Sequence, residues 1–378
     1  MLIIRSICLV LFSLAILAPL SAVAEPIETI AKQAFIIDDQ TGAVLLEKNA
    51  DERMPTSSMS KVITMAAVFE ALKEGRLHLD DTLPVSEEAW RKGGSKMFVE
   101  VGKRVKVEDL IRGVLIQSGN DATIVLAEGL AGTEEAFAGY LNKLAERFGM
   151  SNSHFANASG WPDPNHYSTA RDLTRLAQVT IHEYPQYYPY YSELEFTYHD
   201  IKQGNRNPLL YKNIGADGVK TGHTEDGGYG LIGSAVQDGR RVILVVNGLT
   251  SMKERSSESE RLMKWALYNF ENKTAFKAGE TVGQADVVMG KSKTLDLVSA
   301  NDIVLTLPKL GADEVKLSLH YNSPLIAPIQ KGEKVAVLKV EAPNMQAVEY
   351  PLQAGQDVSE LGFFMKAIEK AKILLWGQ

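Results

Sequence analysis

The chain has 378 residues, with 40 lysines and arginines against 47 acidic residues and a formal net charge of −7. This acidic balance argues against nucleic acid as the main partner. The histidines show no His-Glu-x-x-His spacing, and the chain has no phosphate-binding glycine loop and no dinucleotide fingerprint. The sequence therefore indicates neither a metal nor a nucleotide cofactor.

The first 24 residues are typical of a secretory signal. Arg5 provides a positive start, residues 7–20 are apolar, and Ala22-Val23-Ala24 forms a small-residue cleavage site. An uncleaved anchor is the alternative, although the apolar run is short for a spanning helix. Cys8, the only cysteine, lies in this segment, so the mature chain has no disulfide and no thiol nucleophile. We expect export across the inner membrane.

The mature chain begins with a predicted β-hairpin, in which polar residues separate the apolar runs 35–37 and 44–46. Pro55-Thr56-Ser57-Ser58-Met59-Ser60-Lys61 follows and leads into a segment apolar on nearly every side, which predicts a buried helix. Ser58 and Lys61 then share one face of the first helical turn. A lysine kept neutral by burial or by other cations can take the proton of a serine that attacks a carbonyl.

Ser-x-x-Lys is a weak pattern alone, because a capping serine followed by a surface lysine also produces it. Ser58, however, is the only serine in the chain with a lysine three residues on. Two partner motifs follow in order: Ser118-Gly119-Asn120, after a helix predicted over 107–116, and Lys220-Thr221-Gly222, on a predicted strand. Ser299-Ala300-Asn301 repeats the first partner motif but lies downstream of both, so it is set aside.

Strand patterns open and close residues 25–272, and helical spacings lie between them. This order predicts an α+β domain with an antiparallel sheet flanked by helices and a helical lobe. Residues 273–358 contain short alternating runs that predict a small all-β domain. In residues 359–378 an apolar face lies beside several lysines, which favours an amphipathic helix on a membrane surface. A terminal helix packed on the β-domain is the alternative.

Together the motifs supply a nucleophile and a proton relay. Ser58 is expected to attack, and Lys61 to take its proton. Ser118 can pass a proton to the leaving amine. Asn120 can hold Lys61 and fix a substrate amide.

The third motif, Lys220-Thr221-Gly222, supplies positive charge along one side of the site. Lys220 raises the local positive potential, which favours a neutral Lys61 and an anionic substrate end. Gly222 is expected to let the substrate backbone approach the strand closely. The backbone N–H groups of Ser58 and His223 are expected to form an oxyanion hole.

These ordered motifs are those of penicillin-binding proteins and class A β-lactamases. Through Leu115-Ile116-Gln117-Ser118-Gly119-Asn120-Asp121-Ala122 and Asp217-Gly218-Val219-Lys220-Thr221-Gly222-His223-Thr224, the chain resembles the low-molecular-weight penicillin-binding proteins, serine-type D-alanyl-D-alanine carboxypeptidases of peptidase family S11. The resemblance implies a β-lactamase-like domain, a β-rich domain and an amphipathic anchor. It implies Ser58 as the acylated residue and Lys61 as the base. It also implies a substrate site made by Lys220, Thr221, Gly222, His223, Arg206 and Arg255, in which Arg255 helps to bind the terminal carboxylate.

The implied reaction removes the terminal D-alanine from peptidoglycan stem pentapeptides, with β-lactams as covalent inhibitors, at the periplasmic face of the cytoplasmic membrane. The sequence departs from the family at Ser159-Gly160-Trp161, where relatives often carry His-Gly. No glutamate in this loop stands out as a deacylating base, and Asp172 is either a supporting residue of the site or has a helix-capping or salt-bridge role. A D,D-endopeptidase, a β-lactamase and a non-catalytic wall-binding scaffold with a degenerate site remain alternatives.

Overall fold

The structure is a computed structural model that describes residues 27–310, 314–343 and 345–376, the last six through their backbone only. The predicted signal, residues 1–24, lies outside these residues. The elements of the first part are β1 Gln33–Asp38, β2 Val44–Lys48, α1 Lys61–Lys73, β3 Thr82–Pro84, α2 Glu87–Arg91, β4 Arg104–Lys106, α3 Val107–Leu115, α4 Asn120–Ala131, α5 Glu134–Arg147, α6 Ala170–Glu183, β5 Glu195–Tyr198, β6 Ile201–Gly204, β7 Ala216–Thr224, β8 Gly228–Gln237, β9 Arg240–Leu249 and α7 Met252–Tyr268.

The remaining elements are β10 Phe270–Phe276, β11 Thr281–Val288, β12 Thr294–Val298, β13 Ile303–Pro308, β14 Lys316–His320, β15 Leu325–Ile326, β16 Lys334–Glu341, β17 Val348–Ala354 and α8 Phe363–Trp376. Short 3₁₀ helices lie at Ser57–Ser60, Tyr188–Ser192 and Pro208–Tyr211. The predicted combination of a mixed helical and sheet domain, an all-β domain and a terminal helix is confirmed.

An antiparallel sheet in the order β2-β1-β9-β8-β7 forms the centre of the first domain. Residues 242–246 of its middle strand β9 form an uninterrupted apolar run because both faces of the sheet are covered there. Ile243 and Val245 pack with α1 and α6 on one face, whereas Val242, Leu244 and Val246 pack with α7 on the other. The sheet therefore separates two cores, and its edge strand β7 brings Lys220 towards the helical side.

Helix α1 passes through the larger core, where it contacts α3, α4, α5 and α6 as well as β7. Residues 61–72 are all buried, as a segment apolar on every side predicts. Gly75 follows the helix with a φ of +71°, the left-handed conformation typical of a residue just beyond a helix C-terminus. Since α1 is packed on all sides, the segment that precedes it is held firmly against the sheet.

The all-β domain consists of the sheet β14-β16-β17-β12-β11-β15 and the pair β10–β13. Alternate residues of its strands form a separate core that includes Leu295, Leu297 and Leu338. Polar contacts connect it to the first domain: the buried carboxylate of Asp38 accepts a hydrogen bond from Asn272 of β10, and the hydroxyls of Thr41 and Thr306 are hydrogen-bonded to each other. The predicted division between residues 272 and 273 lies inside β10, and the division itself stays a prediction.

Helix α8 leaves the all-β domain with apolar side chains in solvent. Phe363 is 83% exposed and Phe364 is 82% exposed, while Met365 and Ile368 are about half exposed. These side chains therefore do not pack on the β-domain, which was the alternative for this helix. Within the described residues, no helix combines the length and apolar character needed to cross a bilayer.

Candidate active site

The segment that contains Ser58 is a 3₁₀ helix and not the first turn of an α-helix. Ser57–Ser60 adopt the tighter winding, and α1 begins only at Lys61. Side chains three residues apart eclipse one another in a 3₁₀ helix. This winding brings Lys61 Nζ to 2.7 Å from Ser58 Oγ, and Ser58 remains half-buried at the mouth of a cavity.

Lys61 has three oxygen partners, and two of them can only accept hydrogen bonds. Its Nζ donates to Asn120 Oδ1 at 2.7 Å and to the backbone carbonyl of Ser159 at 2.8 Å. A neutral amine has two hydrogens and one lone pair. If those hydrogens bind the amide and the carbonyl, the lone pair faces Ser58 Oγ. The arrangement therefore orients a neutral Lys61 to accept the Ser58 proton.

Burial favours this neutral form. The side chain of Lys61 is completely buried, which lowers its pKa from 10.5 to about 7. The Arg206 charge lowers this pKa further, whereas the Asp121 and Glu134 carboxylates raise it. Lys61 can thus exchange a proton near neutral pH, as a general base requires.

Ser118 and Lys220 form the opposite side of the site. Ser118 lies in the turn between α3 and α4 with a φ of +59°, which is uncommon for a residue other than glycine. Lys220 Nζ donates to Ser118 Oγ and to the Thr221 carbonyl, each at 3.1 Å. Burial holds the pKa of Lys220 well below 10.5, and the Lys61, Arg206 and Arg255 charges act in the same direction. The structure thus brings the three sequence motifs together.

The structure gives a packing reason for glycine at position 222. A Cβ there would lie 2.7 Å from the Thr56 carbonyl oxygen and 3.1 Å from Met59 Cγ. Glycine is therefore needed because β7 packs directly against residues 56–59. His223, the next residue, is exposed, and its ring stacks on Tyr229 at a centroid distance of 3.9 Å.

Two arginines, Arg206 and Arg255, add positive charge around Lys220. Arg206 Nη1 donates to Ser95 Oγ at 2.5 Å, and Arg255 Nη1 donates to the Gly222 carbonyl at 3.4 Å. Burial lowers the pKa of both guanidinium groups. In the part of the chain that the structure describes, neither arginine is ion-paired with a carboxylate, and the buried Arg255 Nε has no hydrogen-bond partner. Such unpaired cations favour an anionic ligand.

A cavity of about 570 Å³ opens above Ser58. Among the residues that line it are Gly94, Ser95, Asn120, Ser159, Trp161 and His223. Ser58, the amide of Asn120 and the end of β7 thus face one space. It is large enough for a peptide terminus or a bicyclic drug.

Comparison with known proteins identifies the family. Residues 20–251 match the family model described as D-alanyl-D-alanine carboxypeptidase. This chain belongs to that family, the serine peptidases S11. Residues 270–360 match the C-terminal domain of penicillin-binding protein 5.

Individual relatives agree with this assignment. The chain is 37% identical over 347 residues to D-alanyl-D-alanine carboxypeptidase DacA of Haemophilus influenzae, an alignment that covers 90% of this chain and 88% of the relative. Penicillin binding protein 5 from H. influenzae superposes with a TM-score of 0.78 and 36% identity, over 89% of this chain and 99% of that one. The carboxypeptidase DacD of Francisella tularensis gives a TM-score of 0.79 and 34% identity, with 89% and 95% covered. The predicted fold and the assignment to the hydrolases are thereby confirmed.

In this S11 peptidase the loop 156–166 contributes contacts that sequence reasoning did not find. Its backbone carbonyls at Ala158 and Ser159 accept from Thr64 Oγ1 and Lys61 Nζ, both on α1. A Cβ at Gly160 would lie 1.8 Å from the Ser57 carbonyl oxygen, so only glycine permits this close approach. The sequence offered one signal, the Asn-Ala-Ser-Gly-Trp run, but it predicted only an irregular loop.

Asp172 does not line the cavity above Ser58. Its carboxylate accepts from the Ser153 hydroxyl at 2.7 Å and from the Asn152 backbone N–H at 2.9 Å. Its own N–H donates to Thr169 Oγ1, the cap of α6. Asp172 thus fixes the start of α6, which agrees with the structural alternative considered for it.

Asp121 is a buried carboxylate whose position next to the Ser-x-Asn motif gave no hint of its contacts. It accepts hydrogen bonds from the backbone N–H groups of Met97, Phe98 and Val99 at 2.8–3.2 Å. In Asp121→Asn the side-chain NH₂ group, which is a donor, faces backbone N–H groups that are also donors. We therefore expect the free energy of unfolding to fall by about 2 kcal/mol. Urea denaturation measures this loss. Asp286→Asn, at an exposed position of the β-domain, is the control, and equal stability of the two variants contradicts the prediction.

The pKa of Lys61 predicts the pH dependence of acylation. Below a pKa of about 7 the amine carries a third proton and has no lone pair for Ser58, whereas above it the amine is neutral. We expect the rate constant for acylation by benzylpenicillin to rise about tenfold per pH unit below pH 7 and to level off above about pH 8. Circular dichroism at each pH verifies folding. A flat profile in folded protein contradicts the assignment.

Proposed function

We propose that this protein is a serine-type D-alanyl-D-alanine carboxypeptidase that removes the terminal D-alanine from peptidoglycan stem pentapeptides. The observation that carries the proposal is the 2.7 Å contact between Ser58 Oγ and a buried Lys61 whose two other partners are acceptors. Family membership supports the same reaction. No residue in this mechanism requires a cofactor.

The reaction begins when Ser58 Oγ attacks the carbonyl carbon between the two D-alanines and Lys61 takes the hydroxyl proton. The backbone N–H groups of Ser58 and His223 stabilise the resulting oxyanion. The C–N bond then breaks, and the leaving amine receives a proton through Ser118, which lies beside Lys220 Nζ. D-alanine departs, and the peptide remains as an ester on Ser58. Water hydrolyses this ester and restores the hydroxyl.

Recognition of the substrate follows from charge and from free hydrogen-bonding groups. The terminal carboxylate of the peptide meets Lys220, Arg206 and Arg255, cations that lack an ion-pair partner among the described residues. Thr221 and Gly222 place β7 alongside the substrate. Asn120 Nδ2 donates one hydrogen to the Gly93 carbonyl at 2.9 Å, and its second hydrogen serves a substrate amide.

β-Lactams acylate the same serine because their strained amide occupies the position of the scissile bond. The test of the proposal is brief exposure to benzylpenicillin, followed by mass spectrometry of the whole chain and of its peptides. A single adduct on Ser58 is expected. Absence of any adduct favours a non-catalytic scaffold. An adduct on another serine contradicts the assignment of the nucleophile.

A second measurement separates the possible reactions of one nucleophile. D-alanine release from a pentapeptide is compared with cleavage of a cross-linked peptide and with turnover of benzylpenicillin. The carboxypeptidase proposal requires D-alanine release to be the fastest of the three. Faster cleavage of the cross-link indicates an endopeptidase, and rapid penicillin turnover indicates a β-lactamase.

For localisation we propose the periplasmic face of the cytoplasmic membrane, with α8 lying on the bilayer. The predicted export signal supports the compartment. The exposed side chains of Phe363, Phe364, Met365 and Ile368 support the anchor, because each apolar side chain gains about 1.5–3 kcal/mol on burial. Lys370 favours anionic head groups, at about 1 kcal/mol for a lysine near the surface, whereas Lys366 is ion-paired with Glu360.

Ending the chain after Gly362 is expected to release the protein from anionic vesicles without loss of activity on soluble peptides. The cut is placed there because the backbones of Ser359 and Leu361 hydrogen-bond to Lys291 and Met289 of the β-domain. Vesicle sedimentation and peptide hydrolysis measure the two properties.

Full-length protein with Phe363→Ser and Phe364→Ser is the matched variant for this truncation, because it retains the helix length and the lysines. We expect it to bind vesicles more weakly than the unaltered chain. If the truncated protein still sediments with vesicles, α8 is not the anchor.

A further inference from the structure

Trp161 lies where two cavities meet. One is the catalytic cavity above Ser58, and the other, of about 650 Å³, extends beyond it to Arg53 and Tyr167. Both are lined by Ser57 and by residues 160–162, so the two spaces share one wall. The side chain of this tryptophan is unusually exposed for its size, with 42% of its surface in solvent.

The side chain of Asn157 binds both polar backbone groups of Trp161, and Ser159 Oγ also accepts from the Trp161 N–H at 3.3 Å. Asn157 Oδ1 accepts from the Trp161 N–H at 2.9 Å, and Asn157 Nδ2 donates to the Trp161 carbonyl at 2.9 Å. These reciprocal bonds hold position 161 at both ends of the residue. The loop therefore holds the Trp161 backbone, from which the indole projects, in a defined position.

One side of the indole rests on the segment 92–94. A Cβ at Gly94 would lie 3.1 Å from Trp161 Cζ3, and Lys92 Nζ lies 5.4 Å from the ring centroid. Lys92 in turn pairs with Glu134 at 3.6 Å. Since this side of the ring is occupied, the exposed surface of the indole is the part that lines the cavities. The site thus has a flat apolar wall beside its nucleophile.

We propose that Trp161 determines specificity for the acyl donor, by stacking against flat or apolar groups attached to the acyl side of the reacting amide. The proposal rests on the function proposed above, because it requires Ser58 to be acylated. Aromatic groups gain affinity from offset or edge contacts in addition to the area that they bury. A donor with an aromatic side chain is therefore acylated faster than one with a methyl group in its place.

The test compares two penicillins that differ only in the acyl side chain, one phenylacetyl and one acetyl. Their rate constants for acylation give a selectivity ratio for each variant. We expect Trp161→Ala to lower this ratio about tenfold, which corresponds to about 1.4 kcal/mol. Trp161→Phe retains a ring and should keep the ratio within about threefold. Trp90→Ala is the matched control, because Trp90 is 43% exposed and does not line either cavity.

The possible results distinguish failure of the proposed function from failure of the role proposed for Trp161. If neither penicillin acylates the unaltered protein, the proposed function fails. If both acylate it and the selectivity ratio is unchanged in Trp161→Ala, the assignment of Trp161 is overturned. An equal fall of both rates in Trp161→Ala also overturns it, because a purely structural residue produces that result. Trp161→Phe, which retains an aromatic ring at this position, keeps the test decisive if the alanine variant is poorly folded.

A fluorescence measurement reports contact directly. Acylation by the phenylacetyl penicillin should change the tryptophan emission of the unaltered protein and of Trp90→Ala alike. The change should be absent from Trp161→Phe, even though that variant is still acylated. An undiminished change in Trp161→Phe contradicts contact between the indole and the acyl group.

Discussion

Ser58→Ala is expected to abolish both acylation by penicillin and release of D-alanine, with each rate falling by at least about 10⁴-fold. The methyl group cannot attack a carbonyl, and Lys61 loses the hydroxyl that its lone pair faces. Packing should change little, because Ser58 is half-buried and Lys61 keeps Asn120 and the Ser159 carbonyl as partners. Intact-mass spectrometry and a D-alanine assay measure the two losses.

Ser192→Ala is the control for this variant, since the Ser192 hydroxyl donates only to the Pro189 carbonyl at the surface. It should be acylated at the normal rate. If Ser58→Ala is still acylated while its thermal unfolding is unchanged, another residue is the nucleophile.

Lys61→Arg is expected to lower the rate of acylation by about 10³-fold or more, although the variant keeps a positive charge. General-base catalysis contributes about 10²–10⁴-fold, and a guanidinium cannot give up its proton at working pH. The variant also places a permanent charge in a completely buried position, so we expect its melting temperature to fall. Rapid-mixing kinetics with benzylpenicillin measure the rate.

Lys61→Met distinguishes loss of the base from loss of stability. Methionine fills a similar volume without a charge, so this variant should remain folded and still fail to react. Lys264→Arg is the conservative control, since Lys264 forms an ion pair with Glu260 on the surface of α7. Near-normal acylation of Lys61→Arg would show that a different group takes the Ser58 proton.

The residues that carry the proposed chemistry were predictable because each belongs to a short local motif. Ser58 and Lys61 need only one turn of helix to meet, and the alternating pattern of β7 places Lys220 on one face of its strand. The order of the motifs along the chain then predicted that they share a site, and the structure brings Ser118 within 3.1 Å of Lys220.

Other parts of the site were not predictable because backbone atoms form them. The Ser159 carbonyl reaches Lys61 across 98 positions of the sequence, and no side-chain pattern records that contact. The position of Trp161 depends on how the loop packs on Gly94, which is a tertiary contact. The 3₁₀ form of Ser57–Ser60 likewise depends on the packing of Thr56 and Met59 against β7.

The Ser159 carbonyl has a consequence for how this enzyme tolerates change. Lys61 is oriented by the main-chain oxygen of residue 159, and any residue at that position supplies the same oxygen. Alanine scanning of the loop therefore does not detect this contact. Insertions and deletions act differently, since gaining or losing one residue between Phe155 and His166 moves the carbonyl away from the amine. The loop should therefore accept substitution at position 159 while rejecting changes in its length.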